Sequence, residues 1–483
     1  MFKHLRQLFS SNNAPSDSPP ARFPLMNSGD MPDQSEARVQ AETEEKDKAP
    51  DIFICREAII GRDQRIAGYA FRHPQRVQSR LMTRSTVRRF YDDALLNNLA
   101  ALQTGALVGG TRFGVIELSA PSLLHPALSQ LPKHNLVLLL SQSEILEPED
   151  HASCHTMLAS MREQGVLLGL KWELHGNMPS WIPNPDLIYL PLREYFGEVD
   201  EAATHESIAP KLAQLTRELR AGEQTASDNS GPAPRLRLIA GELTTPTEFS
   251  LCYRAGFDFF QGTFVNHRDD WKPAKSSVDR LRVMQLLNGL RAHAENTELV
   301  QELKRDPALS YRLLRYCNSP AIGLQSRINT LDQALLALGH DKLYRWLSLL
   351  LFHMSDPGYR EWVYTEQAMA RAALMESLGK AAGRNDLNAL FLTGLFSLLD
   401  QLFDEPLAAL VGKIQLPSSS AAALIERSGP LAAFLTLVEA CEADDHTMIA
   451  TSAKLLGLSS TVVNQAVFSA LSWTSQMAEL AVD

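Results

Sequence analysis

Two pairs of side chains have the spacing of metal ligands. His151 and His155 are four residues apart on a predicted helix, a separation at which two imidazoles can chelate zinc. The glutamate that a metalloprotease carries between its histidines is missing, so an exposed helix face is the better interpretation. His340 and Asp341 are adjacent, but they follow Gly339 at a helix start, where an acid is best explained as a cap or first-turn residue. Neither pair predicts a metal site.

The cysteines are five, an odd number, and no two of them form a CxxC pair. They are Cys55, Cys154, Cys252, Cys317 and Cys441. This spacing disfavours a zinc ribbon, a redox pair and a disulfide framework, and it favours reduced thiols in a cytoplasmic protein.

A short polar motif, Asn318-Ser319-Pro320, interrupts a helical region. Pro320 cannot continue the helix that begins at Pro307, and it biases Ser319 toward extended geometry. The Asn318 side chain can bond to the backbone groups that are freed at the helix end. A structural turn therefore explains the motif, and a docking role is the alternative.

Composition limits the classes of function. The chain has 483 residues, 45% of them hydrophobic, and a formal net charge of −10. That much hydrophobic sequence excludes wholesale disorder. The negative charge argues against a protein whose main ligand is a nucleic-acid backbone, and no apolar stretch approaches the length of a membrane span. We expect neither nucleic-acid binding nor membrane insertion.

The chain divides into three regions of different composition. Residues 1–50 are rich in Ser, Pro, Asp and Glu and are predicted to be a disordered tail. Residues 51–268 contain eight β-rich runs, most of them separated by helix-like segments, a pattern that favours a (β/α)8 barrel over an open doubly wound sheet. Residues 275–483 lose the β signal and are predicted to form a helical domain, in which Asp306-Pro307 marks a helix start.

Specific segments carry a resemblance to known families. IFICREAIIGRDQRIAGYAFR resembles the opening hairpin of the EAL domain, the barrel of cyclic-di-GMP phosphodiesterases, and GFDFFQGTF resembles its closing strand. The segment from Asp306 to Gly339, including the Asn318-Ser319-Pro320 motif, resembles the HDOD domain, a helical relative of HD phosphohydrolases. The order of the two resembles bacterial EAL–HDOD signal-transduction proteins.

The EAL resemblance implies carboxylates for divalent cations at the strand ends, and several are absent. The segment Gly68–Arg72 carries no acid, and Lys171 stands where the family has an aspartate pair. Only Glu117 and Glu242 lie near acidic or ligand positions. The resemblance therefore predicts a degenerate barrel with no catalytic residues, no metal and no other cofactor.

Two residues match family positions that contact ligand, Arg72 and Gln261, and they are the candidates for nucleotide binding. For Arg72 a surface ion pair is the favoured alternative. In the helical domain, the resemblance places the His-Asp pair of HD hydrolases at Ser397 and Leu398, which cannot bind metal, so this domain is also predicted to be non-catalytic.

These observations predict a non-enzymatic cytoplasmic regulator that acts through a protein partner, with cyclic-di-GMP binding without hydrolysis left open. The alternative is a residual cyclic-di-GMP phosphodiesterase that uses Glu117 and Glu242.

Overall fold

The structure is a computed structural model. It describes residues 54–72, 85–101, 112–141, 148–172, 182, 185–193, 201–224, 236–266, 280–318, 327–352, 358–403, 405–443 and 445–480. The segment predicted as a disordered tail, residues 1–50, lies outside the described residues. Within the described ranges no single helix is long and apolar enough to cross a membrane, although one bent pair, His446–Leu455 with Ser460–Ser475, passes that test by length and composition.

Eight strands close into a barrel in chain order. They are β1 (Cys55–Gly61), β2 (Ile66–Arg72), β3 (Phe113–Leu118), β4 (Leu136–Ser141), β5 (Leu167–Lys171), β6 (Leu187–Pro191), β7 (Arg237–Leu243) and β8 (Phe259–Gly262). β1 is antiparallel to β2 and to β8, whereas the other neighbouring strands are parallel. The amino-terminal end of β1 therefore lies with the carboxyl ends of the other strands, at the edge that we call the mouth.

Every second side chain along the strands points into the barrel and fills its interior. Inward-facing Ile59, Val115, Val137, Leu187 and Ile239 belong to one buried cluster, because successive side chains of a strand point to opposite faces. All six residues of β4 are buried, which explains its continuous apolar run. Each of the eight predicted β-rich runs matches one of the strands to within a residue at its carboxyl end or contains it entirely.

Helices follow four of the strands. They are α1 (Ser85–Ala101), α2 (Pro148–Glu163), α3 (Glu201–Gln224) and α4 (Pro246–Ala255), with 3₁₀ turns at Ala120–Leu124, Pro126–Gln130 and Thr263–Asn266. A capping box starts α4, because Thr245 and Glu248 each satisfy the other's backbone N–H. The predicted α/β barrel followed by a helical region is confirmed.

The chain divides into two compact units: one contains Val278–Leu351, and the other contains Ile52–Ser277 together with Phe352–Asp483. These units are not the boundaries of family domains, so the domain limits expected from the sequence, 51–268 and 275–483, stay predictions. The helices of the first unit are α5 (Arg280–Arg291), α6 (Asn296–Lys304), α7 (Pro307–Cys317) and α8 (Leu331–Leu350). Asp306 caps α7 by accepting a hydrogen bond from Leu309 N, as its sequence predicts, and Gly339 breaks α8 with a φ of 71°.

The second unit adds the remaining helices. They are α9 (Tyr359–Ala381), α10 (Leu387–Phe396), α11 (Leu399–Phe403), α12 (Leu407–Ile414), α13 (Ser418–Ala421), α14 (Ala432–Ala443), α15 (His446–Leu455) and α16 (Ser460–Leu480), with a π turn at Ala422–Glu426.

Two of these helices cover the β1–β2 hairpin. A hairpin has no helix between its strands, so its outer face lacks the cover that a βα unit provides. The Phe71 ring stacks on Phe468 of α16, with ring centroids 5.7 Å apart. Tyr69 donates a hydrogen bond of 2.8 Å to Glu366 of α9, which also accepts one of 2.9 Å from Arg112. Burial, reinforced by the Glu366 carboxylate, raises the pKa of the Tyr69 phenol well above its ordinary value.

Candidate active site

A cavity of about 50 Å³ opens at the mouth of the barrel. Its polar lining residues are Glu117, Lys171, Tyr189, Glu242 and Gln261, and its apolar ones are Ile59, Ala70, Phe71, Val115, Leu139 and Ile239. Most of the polar residues occupy inward-facing positions near the ends of β3, β5, β6 and β8. The cavity has room for a few water molecules or one small polar group, so a nucleotide would have to lie across the mouth.

An ion pair between neighbouring inward positions crosses this cavity. The ammonium of Lys171 lies 3.1 Å from Glu117 Oε1, and the two side chains are 28% and 25% exposed. The same ammonium lies 5.9 Å from the centre of the Tyr189 ring, close enough for a cation–π contact. The pair thus holds a positive charge inside the mouth.

Gln261 presents an unsatisfied oxygen in the cavity. Its Nε2 donates a hydrogen bond of 2.7 Å to Glu57 Oε2. Since a carboxylate can only accept, this contact fixes which end of the amide carries nitrogen. Gln261 is 4% exposed, and its Oε1 has no hydrogen-bond partner in the described part of the chain. A buried acceptor left in this state favours a ligand that brings an N–H or O–H donor.

Glu242 reaches the cavity through an irregularity in β7. Regular alternation from Ile239 would point residue 242 outward, but the pairing of β7 with β8 shifts register between Ala240 and Leu243. Glu242 has a φ of 62°, a value that is rare for a residue with a side chain and that clusters at functional sites. Bulges of this kind re-aim a side chain, and here the bulge turns a carboxylate toward the mouth.

Gly241 is required next to this bulge. A Cβ atom at position 241 would lie 2.1 Å from the Tyr189 ring, so the ring packs directly on the backbone of β7.

Glu242 itself is exposed and has no hydrogen-bond or ion-pair partner among the residues that the structure describes. Its carboxylate is therefore available to a ligand or a water molecule.

The donor set does not fit the divalent cations that the EAL resemblance implies. The described ranges contain no group of three or more His, Cys, Asp or Glu side chains arranged to hold a metal ion. Glu117 is paired with Lys171, and Glu57 is bonded to Gln261. Hard cations need several oxygen ligands, with carboxylates among them, and Glu242 alone among these acids is unengaged.

The structure brings together three of the residues singled out from the sequence: Glu117, Glu242 and Gln261 line one cavity. Arg72 is the last residue of β2, and its side chain lies outside the described part of the chain. Sequence reasoning missed Glu57, although it lies two residues before inward-facing Ile59 and alternation could have placed it on the inner face.

Asn318 fixes the end of α7. Its side-chain amide donates hydrogen bonds to Leu314 O at 2.8 Å and Ile328 O at 2.7 Å, and its Oδ1 accepts one from Ile328 N at 2.8 Å. One side chain thereby joins the helix end to a segment ten residues later. Ser319 and Pro320 lie outside the described residues, so the role of the whole motif stays a prediction.

A buried cation lies in the helices of the larger unit. Arg371 of α9 is 8% exposed. Its Nε and Nη2 donate to the carboxylate of Glu442 at 3.0 and 2.6 Å, and its Nη1 donates to Ser397 Oγ at 3.0 Å and lies 3.5 Å from Glu439. Burial by itself lowers the pKa of Arg371, but Glu442 outweighs it and raises the pKa above its ordinary value. Ser397 is the position where the HD resemblance would place a histidine.

The histidine pairs do not form metal sites in the described residues. His340 Nε2 lies 3.0 Å from Asn296 Oδ1, a contact between two helices of the smaller unit. His155 is exposed on α2, as its spacing on an outer helix face predicts.

Comparisons with known proteins match one stretch of the helical part to a family model and extend the similarity to most of the chain. Residues 280–403 match the family model of the HDOD domain. A curated relative, the cyclic di-GMP phosphodiesterase CdgJ of Vibrio cholerae, is 24% identical over 430 residues, which are 89% of this chain and 93% of that protein. The uncharacterized protein YuxH of Bacillus subtilis is 28% identical over 213 residues, 44% of this chain and 52% of that protein.

Two solved structures each align with about half of this chain. The PaMucR phosphodiesterase in its c-di-GMP complex is 14% identical, covers 48% of this chain and 96% of its own, and has a TM-score of 0.34. The Klebsiella pneumoniae BlrP1 calcium/cy-diGMP complex is 17% identical, covers 44% of this chain and 54% of its own, and has a TM-score of 0.32. The HDOD match and the two curated relatives confirm the predicted resemblance to EAL–HDOD signalling proteins.

The prediction that the protein is not an enzyme is contradicted by these comparisons. The relative that aligns with 89% of the chain is named as a cyclic di-GMP phosphodiesterase, and no comparison shows the barrel to be degenerate. The error has a physical source. The prediction counted too few acids at the mouth. It named Glu117 and Glu242 but missed Glu57, which lies on the reversed strand β1 and is bonded to Gln261.

Proposed function

We propose that this HDOD-containing protein hydrolyses cyclic-di-GMP at the mouth of its barrel. The observation that carries the proposal is the similarity, over most of both chains, to a protein named as a cyclic di-GMP phosphodiesterase. The cavity supports it, because one small space contains an unengaged carboxylate, a held ammonium and a buried unsatisfied acceptor. Charged groups of both signs beside one reacting centre are what phosphodiester hydrolysis requires.

Each group has a role in the reaction. The oxygen of a water molecule forms a bond to phosphorus, and the bond between phosphorus and one ribose oxygen breaks. Glu242 takes the proton of the attacking water, and the departing ribose oxygen receives a proton from the resulting carboxylic acid or from solvent. The ammonium of Lys171 lies where it can offset the negative charge that grows on the phosphoryl oxygens. The product is a linear dinucleotide.

The remaining polar groups orient the substrate. Gln261 Oε1 accepts a hydrogen bond from an N–H or O–H group of the nucleotide, while Glu57 holds the amide in place. Nucleotide binding by Arg72 stays a prediction from the sequence. Metal ions supply Lewis-acid chemistry to many phosphodiesterases, but the described donor set does not fit them, and no step here depends on one.

The Glu242→Gln variant tests this function. The full-length protein is incubated with cyclic-di-GMP, and the linear product is separated by chromatography. Turnover is expected to fall by about 10²–10⁴-fold, the usual contribution of a general base, with thermal stability unchanged. Glu163→Gln, on the exposed surface of α2, removes the same charge away from the mouth and should retain activity.

Two results would overturn the proposal: wild-type protein with no turnover in the presence or absence of Mg²⁺ or Mn²⁺, and full turnover by Glu242→Gln. A regulatory protein partner, a docking role for Asn318, Ser319 and Pro320, and a cytoplasmic location remain predictions from the sequence.

A further inference from the structure

We infer that the ammonium of Lys171 takes the place of a divalent cation in the barrel mouth, so that the mouth binds an anionic phosphodiester without a metal ion. The inference rests on the proposed function for the identity of the ligand. It concerns which group in the mouth neutralises the negative charge of the phosphate, and it can fail while the hydrolytic activity stands.

The first argument is the spare hydrogen-bonding capacity of Lys171. An ammonium carries three N–H donors, and the described residues supply one hydrogen-bond acceptor for it, Glu117 at 3.1 Å. The side chain is 28% exposed and lines the cavity. Its other donors can therefore reach phosphoryl oxygens that enter the mouth, and a phosphodiester presents two such oxygens with shared negative charge.

The second argument is the position of the charge. Lys171 is the last residue of β5, and its ammonium is held by Glu117 on β3 and by the ring of Tyr189 on β6. Contacts on two sides hold the ammonium within the cavity, although a lysine side chain has four rotatable bonds. A fixed charge loses less entropy when a ligand binds than a mobile surface lysine does.

The third argument is electrostatic exclusion. A divalent cation bound to Glu117 would lie beside the ammonium that already neutralises this carboxylate, and like charges at such distances repel strongly in a partly buried site. Glu242 remains as the one unengaged acid of the described cavity lining, and that is a poor ligand set for a metal ion. The ammonium of the ion pair therefore supplies a positive charge to the mouth and disfavours the binding of a divalent cation there.

The first experiment measures cyclic-di-GMP binding to the full-length protein by calorimetry, with EDTA and with Ca²⁺. We expect the same affinity in both buffers for the wild type. Lys171→Met should weaken binding by about 10- to 100-fold in both, the usual worth of a charge-assisted hydrogen bond. Lys211→Met removes an exposed lysine from α3 and should bind like the wild type. Binding that disappears in EDTA, or a Lys171→Met variant that binds normally, would overturn the inference.

The second experiment does not depend on the nucleotide. Bound Mn²⁺ is measured by electron paramagnetic resonance in the wild type and in Lys171→Asp, which removes the ammonium paired with Glu117 and adds a second carboxylate to the mouth. We expect the variant to bind Mn²⁺ more tightly than the wild type, and circular dichroism checks that it is folded. Equal Mn²⁺ binding by the wild type and a folded variant contradicts the inference.

The two experiments separate the two proposals. If no condition gives cyclic-di-GMP binding or turnover, the proposed function fails, and the Mn²⁺ comparison still decides whether Lys171 replaces a cation. If turnover is found and requires a divalent ion that the wild type binds, the proposed function stands and the role of Lys171 is rejected.

Discussion

The barrel mouth and the helical part of the larger unit each contain a cation where the family resemblances would place a metal site. In the mouth, Lys171 has one carboxylate partner and is more than a quarter exposed. In the helices, Arg371 is almost fully buried and bonded to Glu442 and Ser397, with Glu439 close by. A cation with unused donors in an open cavity is available to a ligand, whereas a cation whose donors are taken up inside a core serves the fold.

The difference follows from the side chains themselves. A guanidinium is planar, with five donors in a fixed fork, and it can satisfy several acceptors from different helices at once. An ammonium is compact and strongly hydrated, and it stays useful where water and ligand can reach it. The Arg371 cluster therefore joins α9 to α14 and to the residue that follows α10, while Lys171 joins only neighbouring inward positions of the barrel.

The largest expected effect is on the buried cluster. Arg371→Met leaves the partly buried Glu442 carboxylate without its main partner, and the free energy of unfolding should fall by about 3–5 kcal/mol. Urea unfolding followed by circular dichroism measures the change. Arg427→Met removes an exposed guanidinium that pairs with Glu439 and should cost less than about 1 kcal/mol. Equal losses in the two variants would show that the cluster does not stabilise the helices.

A smaller loss is expected where α9 covers the β1–β2 hairpin. Glu366→Gln removes the charge that accepts hydrogen bonds from Tyr69 and Arg112, at a pair whose side chains are both buried. The free energy of unfolding should fall by about 1.5–3 kcal/mol, the range for hydrogen bonds to charged groups.

Tyr69→Phe is the matched control for that variant, because it removes one neutral donor and keeps the Glu366–Arg112 pair. It should cost about 1 kcal/mol. A larger loss for Tyr69→Phe than for Glu366→Gln would mean that the Tyr69 hydroxyl hydrogen bond, rather than the ion pair, holds α9 to the barrel.

The smallest effect on stability is expected at the mouth. Lys171→Met removes one partly exposed ion pair, so the free energy of unfolding should change by less than about 1 kcal/mol. The same variant is expected to lose ligand affinity, which Arg427→Met is not. If Lys171→Met destabilised the protein as much as Arg371→Met, the mouth pair would be structural and the contrast between the two cations would be lost.

Much of the fold could be predicted from the sequence, since it depends on local patterns. Eight β-rich runs, the helix-like segments between most of them and the Asp306 cap all have local signals, and each appears in the described structure. The HDOD resemblance was carried by one continuous segment, which lies within the matched range.

The candidate site could be predicted only in part. Glu117, Glu242 and Gln261 were singled out by their places near strand ends, and they line one cavity. Glu57 was missed because it belongs to the one strand that runs in the opposite direction, so its place at the mouth depends on pairing with β8 across the closed barrel. Lys171 was taken only as a sign of lost metal binding, because its contact with Glu117 joins residues 54 positions apart.

The sequence by itself therefore determined the element types, their order and the composition of the strand ends, since alternation, caps and turn residues act over a few neighbouring positions. Only the tertiary structure decided which charges meet. Barrel closure paired Glu57 with Gln261, the β7 bulge turned Glu242 inward, and helix packing surrounded Arg371 with acceptors. Such contacts depend on register and packing between distant segments, and these determine whether a charged side chain is left open to a ligand or satisfied within the fold.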